Sequence, residues 1–373
     1  MRHQRGDSKV MEEIRRYLES KFGKGVNVVR VSELTPQGEQ ELKGFGYGKP
    51  YLIVFATPQG ERREAVLSSM RGDHFGHEHF ADRAQILLWQ YSAFNKLPKH
   101  VRALDVGYFA HDGSLKSVSD AAEFFLLCEK AEGVEYYKDL ERISKEGLKP
   151  LDEERAAALA GYLAEIHAEK GGPQREGLYI RRIRELVGHG ECIFGLVDSY
   201  FTGGTSCIDF MSEEDFLELE KSCVEWRWRL RKKAHRVCVV HGDFHPWNVL
   251  FREGTDFTVL DRSRGEWGEA ADDVSSMTIN YIFCSLLKYG ELKNEFKKLF
   301  DVFFETYLDK TGDEELLEVI QPFYAFRGLV IASPLWYPHI STGVRMKIFR
   351  FIKNVLASER FELGDVNKYF KEW

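Results

Sequence analysis

The chain has 373 residues, 43% hydrophobic and 30% charged, with a formal net charge of −7, which is globular chemistry with length for a large core and excludes a collagen, a coiled coil or a mostly disordered chain. The negative balance argues against a nucleic-acid binder working by bulk electrostatics, and six cysteines with no CxxC pair and no zinc-ligand spacing read as reduced core thiols. The charged amino-terminal segment lacks an apolar signal core and no apolar run reaches the ~18 residues of a membrane span, so the expectation is a cytoplasmic protein without a membrane partner.

Val10, Ile14, Leu18 and Phe22 stand at i, i+4 spacing and predict a short amphipathic helix over 9–22. Segments 26–34 and 49–57, rich in β-branched and aromatic residues, predict strands separated by a stretch with four glycines. A turn at 58–60 leads to a third strand over 63–70. The run 74–80 holds three histidines and reads as a polar lead-in to a helix over 78–95. Segments 101–109 and 123–130 read as two more strands joined by the turn 111–114.

Beyond Gly133 the chain is mainly helical. Residues 152–169 predict a strong helix with Asp152 as N-cap, and 213–235, 313–328 and the end of the chain also have helical period. Two short apolar runs, 236–241 and 257–261, interrupt this pattern. The tryptophan-rich run 224–230 reads as a helix with buried Trp and exposed Arg. The boundary near residue 130 separates a small sheet part, 1–130, from a larger helical part, 131–373.

The densest polar signal is HGDFHPWN at 241–248. The apolar runs end in acids, Asp243 and Asp261, and Asn248 lies in the loop between them. A hairpin-like unit would gather all three at one end, a hard-oxygen site of the kind that suits Mg²⁺. Asp243 and Asn248 have the D-x-x-x-x-N spacing of the protein-kinase catalytic loop. Two other readings stand beside this one: Asp and Asn capping turns, and His241, Asp243 and His245 as metallohydrolase ligands, although no distant cluster completes that set. Of the adjacent acids Asp272 and Asp273, one is expected to cap a helix and one to be exposed.

His241, Gly242, Asp243, His245 and Asn248 match the HGDxHxxN loop of the aminoglycoside phosphotransferase and choline kinase-like superfamily, which the sequence resembles. Gly268, Glu269, Ala270 and Asp273-Val274 resemble an altered form of its following segment, 163–168 its helix before the loop, and 124–133 its interlobe connector. The resemblance implies a protein kinase-like bilobal α+β fold, with a small antiparallel nucleotide-binding lobe (1–130) and a larger, mainly helical lobe (131–373) for catalysis and acceptor binding. ATP or GTP would sit in the cleft with Mg²⁺, and its γ-phosphate would pass to a hydroxyl of a small molecule.

By position, Asp243 would be the general base or hydroxyl-orienting group, and Asn248 and Asp261 the Mg²⁺ ligands. His241, His245 and Asp273 would support the loop. Gly44, Gly46 and Gly48 would let backbone amides close over the phosphates, with Lys43 or Lys49 adding charge, and the backbone near Glu129 and Ala131 would meet adenine. The place where the family's third strand usually supplies a Lys or Arg holds Ser68. That departure leaves room for an alternative, a catalytically silent kinase-like nucleotide- or metabolite-binding protein. The aromatic run 334–340 would line an acceptor pocket or pack in the core; nothing in the sequence selects the acceptor.

Overall fold

A computed structural model describes residues 2–34, 48, 50–202 and 205–372. The chain divides into two compact units, Met1–Cys128 and Glu129–Trp373.

In the first unit, α1 (Arg2–Phe22) begins earlier than its apolar stripe predicts. Ile14 and Leu18 are buried against Ile53 and Phe55, so the stripe is the face that makes the core. Strands β1 (Asn27–Glu33), β2 (Tyr51–Ala56) and β3 (Arg62–Leu67) form an antiparallel sheet in sequence order. The central strand, β2, is the most apolar and buries Ile53, Val54 and Phe55. It pairs Asn27 with Ala56 and Tyr51 with Leu67. Helix α2 (Phe80–Phe94) starts at His79, whose N–H donates to Asp82 at 2.7 Å. The His77 ring is held by Asp73 at 2.9 Å, so the histidine run is a polar lead-in.

Strands β4 (Gly107–Phe109) and β5 (Leu115–Ser117) form a separate hairpin. Here the structure corrects the sequence reading: residues 101–106 are not extended strand, and 123–130 is no strand. The reason is local. Gly113 at φ 89° and Asp112, which accepts the Ser114 N–H at 2.8 Å, close a tight turn that pairs β4 with the nearest residues. Residues 125–127 are left exposed.

The second unit holds, in chain order, β6 (Val134–Glu135), α3 (Tyr136–Glu146), α4 (Pro150–His167), α5 (Glu176–Gly188), α6 (Ile193–Ser199), β7 (Phe201–Thr202), β8 (Thr205–Ser206) and α7 (Glu213–Leu230). There follow β9 (Cys238–Val239), β10 (Val249–Phe251), β11 (Phe257–Val259), β12 (Trp267–Gly268), α8 (Ala270–Tyr289), α9 (Asn294–Thr311), α10 (Gln321–Ala332) and α11 (Thr342–Leu356). The small sheets are antiparallel: β11-β10-β6, β12-β9 and β7-β8. Asp152 lies three residues into α4 and accepts the Lys149 N–H at 2.8 Å, so Lys149, not Asp152, is the N-cap. The period expected over 313–328 breaks into a 3₁₀ turn at 314–318 and then α10, whose Pro322 lies at the helix start, where a missing N–H costs nothing.

The core of this unit is one continuous apolar body. Tyr281, Phe296, Phe300, Phe303, Tyr324 and Phe326 are fully buried in it. Trp226 is buried and donates Nε1–H to Leu356 O at 2.8 Å, while Trp228 is exposed beside Arg227 and Arg231. Among the described residues no helix is long and apolar enough to cross a membrane.

Candidate functional site

The loop after β9 is fixed before it reaches any chemistry. Val240 N–H donates to Glu266 O at 2.9 Å, extending the β9–β12 pairing. Gly242 then turns at φ 87°, a left-handed conformation that a side chain would strain. The N–H groups of His241 and Gly242 donate to the two oxygens of Asp273, each at 2.7 Å. Asp273 lies in the first turn of α8 and is fully buried. Its Oδ2 also faces His167 Nε2 at 3.1 Å, and His167 Nδ1 lies 2.8 Å from the Tyr307 hydroxyl. One carboxylate thus ties the loop to α4, α8 and α9.

Neither acid of the adjacent pair is exposed, against expectation: Asp272 is 1% exposed. Arg182 from α5 donates to its Oδ2 at 2.6 Å and Arg327 from α10 to its Oδ1 at 2.8 Å. Two cations make the burial tolerable, because an unpaired carboxylate would cost several kcal/mol there. Burial raises the Asp272 pKa, and the two arginines outweigh burial to leave it lowered. Glu269, in the altered Gly-Glu-Ala segment, is also buried; Arg236 binds it at 2.8 Å and Tyr179 OH at 2.9 Å.

Arg327 is the residue the sequence reading missed. Its Nη1 donates to Asp243 Oδ1 at 2.5 Å and its Nη2 to Gly242 O at 3.1 Å. The Asp243 Oδ2 lies 3.6 Å from His245 Nε2. Burial pushes the Asp243 carboxyl up, but His245 and the Arg327 and Arg264 charges hold it well below the ordinary carboxylate range. One signal was available: Arg327 is the single charge in the otherwise apolar run QPFYAFRGLVIA.

Asn248 Nδ2 donates to Asp243 O at 3.0 Å, and its Oδ1 has no partner among the described residues. The Leu260 N–H donates to Asn248 O at 2.8 Å, one step beyond the Val249–Val259 pair of β10 and β11. Asn248 and Asp261 therefore stand at the same end of that hairpin, with Asp243 joined to them through the Asn248 side chain. Asp261 has φ 56°, is exposed, and among the described residues makes no hydrogen bond or ion pair. Two uncommitted hard-oxygen donors suit a Mg²⁺ that takes few protein ligands and fills its shell with water and phosphate oxygens. Among the described residues no group of three His, Cys, Asp or Glu side chains could hold a metal. His241 is 3% exposed; its Nδ1 accepts the Asp243 N–H at 3.3 Å, and burial lowers its pKa against the pull of Asp273.

Two cavities adjoin these residues. One, of about 160 Å³, is lined by Tyr162, Ile166, Val240, His241, Leu260 and Asp261 among others. The second, of about 360 Å³, includes His245, Trp247 and Arg327. Of the residues assigned to the nucleotide, Lys43, Gly44, Gly46 and also Lys49 lie outside the described residues. Gly48 is described and exposed, and a Cβ there would fall 1.8 Å from Ser69 O. Ser68 is exposed just after β3. Glu129 is exposed and Ala131 half-buried, and among the described residues no hydrogen bond joins either to the Asp243 cluster.

Residues 90–287, more than half of the chain, match the phosphotransferase enzyme family, and the chain belongs to it. The family is one of phosphotransferase enzymes, and the fold of this chain is α+β, with small antiparallel sheets and a mainly helical second unit. Similar solved structures include an ethanolamine kinase of Plasmodium vivax, 14% identical, covering 90% of this chain and 82% of that one, with a TM-score of 0.35. An amicoumacin kinase is 12% identical over 96% of this chain and 99% of its own (TM-score 0.37). A choline kinase of Streptococcus pneumoniae is 11% identical over 92% and 99% (TM-score 0.34). No curated protein matches the chain.

Proposed function

We propose that the protein is a Mg²⁺-dependent small-molecule kinase that moves the γ-phosphate of ATP or GTP to a hydroxyl group. The observation that carries this is the Asp243 carboxylate, held on one oxygen by Arg327 and tied through Asn248 to the hairpin end that bears Asp261. Its partners would be a nucleoside triphosphate and a small hydroxyl-bearing acceptor in the cytoplasm, without nucleic acid or membrane. Lys43, Gly44, Gly46, Gly48, Glu129 and Ala131 keep their assignment to the nucleotide.

Asn248 and Asp261 would hold the metal, which would neutralise charge on the phosphates. The protein's own residues orient the acceptor. Asp243 Oδ2 accepts a hydrogen bond from the acceptor hydroxyl while Arg327 fixes Oδ1, so the nucleophilic oxygen is aimed rather than strongly deprotonated. A carboxylate with so low a pKa is a weak base, and in phosphoryl transfer positioning and charge supply most of the catalysis. The acceptor oxygen forms its bond to the γ-phosphorus as the bond to the β–γ bridging oxygen breaks. The nucleoside diphosphate leaves with that electron pair, and the hydroxyl proton passes by way of Asp243 Oδ2 to solvent.

Nucleoside diphosphate release with a panel of hydroxyl compounds tests this. Asp243→Asn should lower turnover by about 10²–10⁴-fold and keep nucleotide binding, whereas Asp261→Asn should weaken Mg·ATP binding itself; normal turnover in both variants would refute the roles. The silent reading draws support from the Asp243–Arg327 pair and from Ser68. Tight Mg·ATP binding without turnover on any acceptor would favour it.

A further inference from the structure

Helix α7 has two apolar faces. Phe216, Leu219, Cys223, Trp226 and Leu230 are buried in the core of the second unit. On the opposite face Leu217, Val224 and Trp228 follow at steps of seven and four residues, which places them in one stripe along the helix. They are 49%, 36% and 55% exposed. A surface helix needs one apolar stripe to join its core; a second stripe turned outward marks an interaction site.

The charges beside the outer stripe are segregated along the chain. Residues 213–220 hold five acids and no base, and 227–233 hold five bases and no acid. Asp215 accepts the Ser212 N–H at 3.0 Å at the helix start, and Lys233 pairs with Glu315. The other four of each sign lie at the surface, exposed or half-buried. Of the acids, only Glu218 has an ion pair among the described residues, with exposed Lys221. Among the same residues Lys232 has none, and Arg227, Arg229 and Arg231 lie over the rings of Trp228 and Trp226 without a carboxylate. The helix macrodipole accounts for acids in the first turn and bases in the last. It does not reach Glu218 and Glu220, and it calls for no outer apolar stripe.

We infer that α7 is a self-association surface, which pairs antiparallel with the α7 of a second copy of this chain about a two-fold axis at Ser222–Cys223. About that axis Leu217 meets the second copy's Trp228, and Val224 meets the apolar stem of its Lys221. Helical spacing puts Glu214, Glu218, Arg229 and Lys232 on one side of the stripe, and Glu213, Glu220, Arg227 and Arg231 on the other. In an antiparallel pair each side faces the same side of its copy. Glu214 then faces Lys232, Glu218 faces Arg229, Glu213 faces Arg231 and Glu220 faces Arg227, all within about one residue of a single axis. A parallel pair would set acid on acid and base on base. The contact is isologous, so it closes at two copies. An 18-residue helix is about 27 Å long, which puts the interface at the small end of specific ones; the dimer is weak and salt-sensitive. Nothing in this depends on the phosphotransfer reading.

Sedimentation velocity on the whole protein tests the pairing. Wild type should be dimeric at about 100 µM in low salt, and its dissociation constant should rise at least ~10-fold between ~50 mM and ~500 mM salt. Two triple variants use exposed positions only: Glu213→Lys/Glu214→Lys/Glu218→Lys, and Arg229→Glu/Arg231→Glu/Lys232→Glu. Each should be monomeric alone, with an unchanged far-UV circular dichroism spectrum, and their equimolar mixture should be dimeric. Trp228→Ser, which leaves both charge sets intact, should weaken the wild-type dimer about 10-fold. A monomeric wild type, a mixture that stays monomeric, or a dimer indifferent to salt and to these substitutions would overturn the inference. So would a monomer whose basic half instead binds anionic vesicles or heparin.

Discussion

Arg327 makes a buried charge cluster of Asp243 and Asp272, with Arg182 as the second cation. Two acids and two bases cancel, so the cluster is neutral as a set but intolerant of losing one member. Arg327→Met should cost about 3–5 kcal/mol at neutral pH, because it strands carboxylate charge in the interior. Both acids have folded-state pKa values depressed below their ordinary 3.8. Their pairing therefore contributes stability that is complete above pH ~4 and is lost as the pH falls from there toward the folded values. In Arg327→Met the carboxyls protonate more readily, so the stability gap between variant and wild type should narrow on acidification. Urea denaturation at neutral pH and near pH 3.5 checks this, and a gap that stays constant or widens would show that the depressed titration does not come from Arg327.

Helix α10 positions Arg327, and its neighbour Gly328 shows how closely. A Cβ at Gly328 would lie 2.7 Å from Ile352 Cγ1 and 2.9 Å from its Cδ1, and Ile352 is fully buried in α11. In an exposed helix Gly→Ala gains close to 1 kcal/mol; here the clash decides the sign. Gly328→Ala should destabilise by about 1–3 kcal/mol, and adding Ile352→Val should recover part of that loss, measured as a double-mutant cycle in urea. Additive losses in the double variant would mean that the helices do not touch there. This long-range dependence explains what the sequence conceals. The loop 241–248 was legible because its residues lie within one short motif, but of the two apolar runs only 257–261 joins the hairpin that carries Asn248 and Asp261; its other strand is 249–251, and the run 236–241 pairs with 267–268 instead. Arg327 comes from 84 residues downstream of Asp243, and no spacing rule joins them. The burial of Asp272 was hidden for the same reason, since Arg182 and Arg327 arrive from separate helices. The missing strand over 123–130 failed differently: composition reports that a run suits a strand, not whether a partner is available.

At the scale of the whole molecule, the α+β class was legible because strand-like and helix-like periods segregate along the chain. The same segregation leaves two units with unequal cores. Among the described residues the first has a cluster of five buried apolar residues, Ile14, Leu18, Val26, Ile53 and Phe55, whereas the second is one continuous apolar body spanning its helices. Apolar burial is the dominant favourable contribution to folding, and small cores are marginal. A single two-state transition is therefore not expected. The probes separate the units: Trp89 is the one tryptophan of the first, and the other six of the chain's seven belong to the second. In urea, far-UV circular dichroism, which sees both units, should begin to change at lower denaturant than tryptophan fluorescence, which reports mainly on the second. The early phase should also have the shallower slope, since slope scales with the surface exposed. Trp89→Phe should leave the fluorescence midpoint unmoved. Coincident transitions by both probes would mean that the small unit draws its stability from beyond its own core.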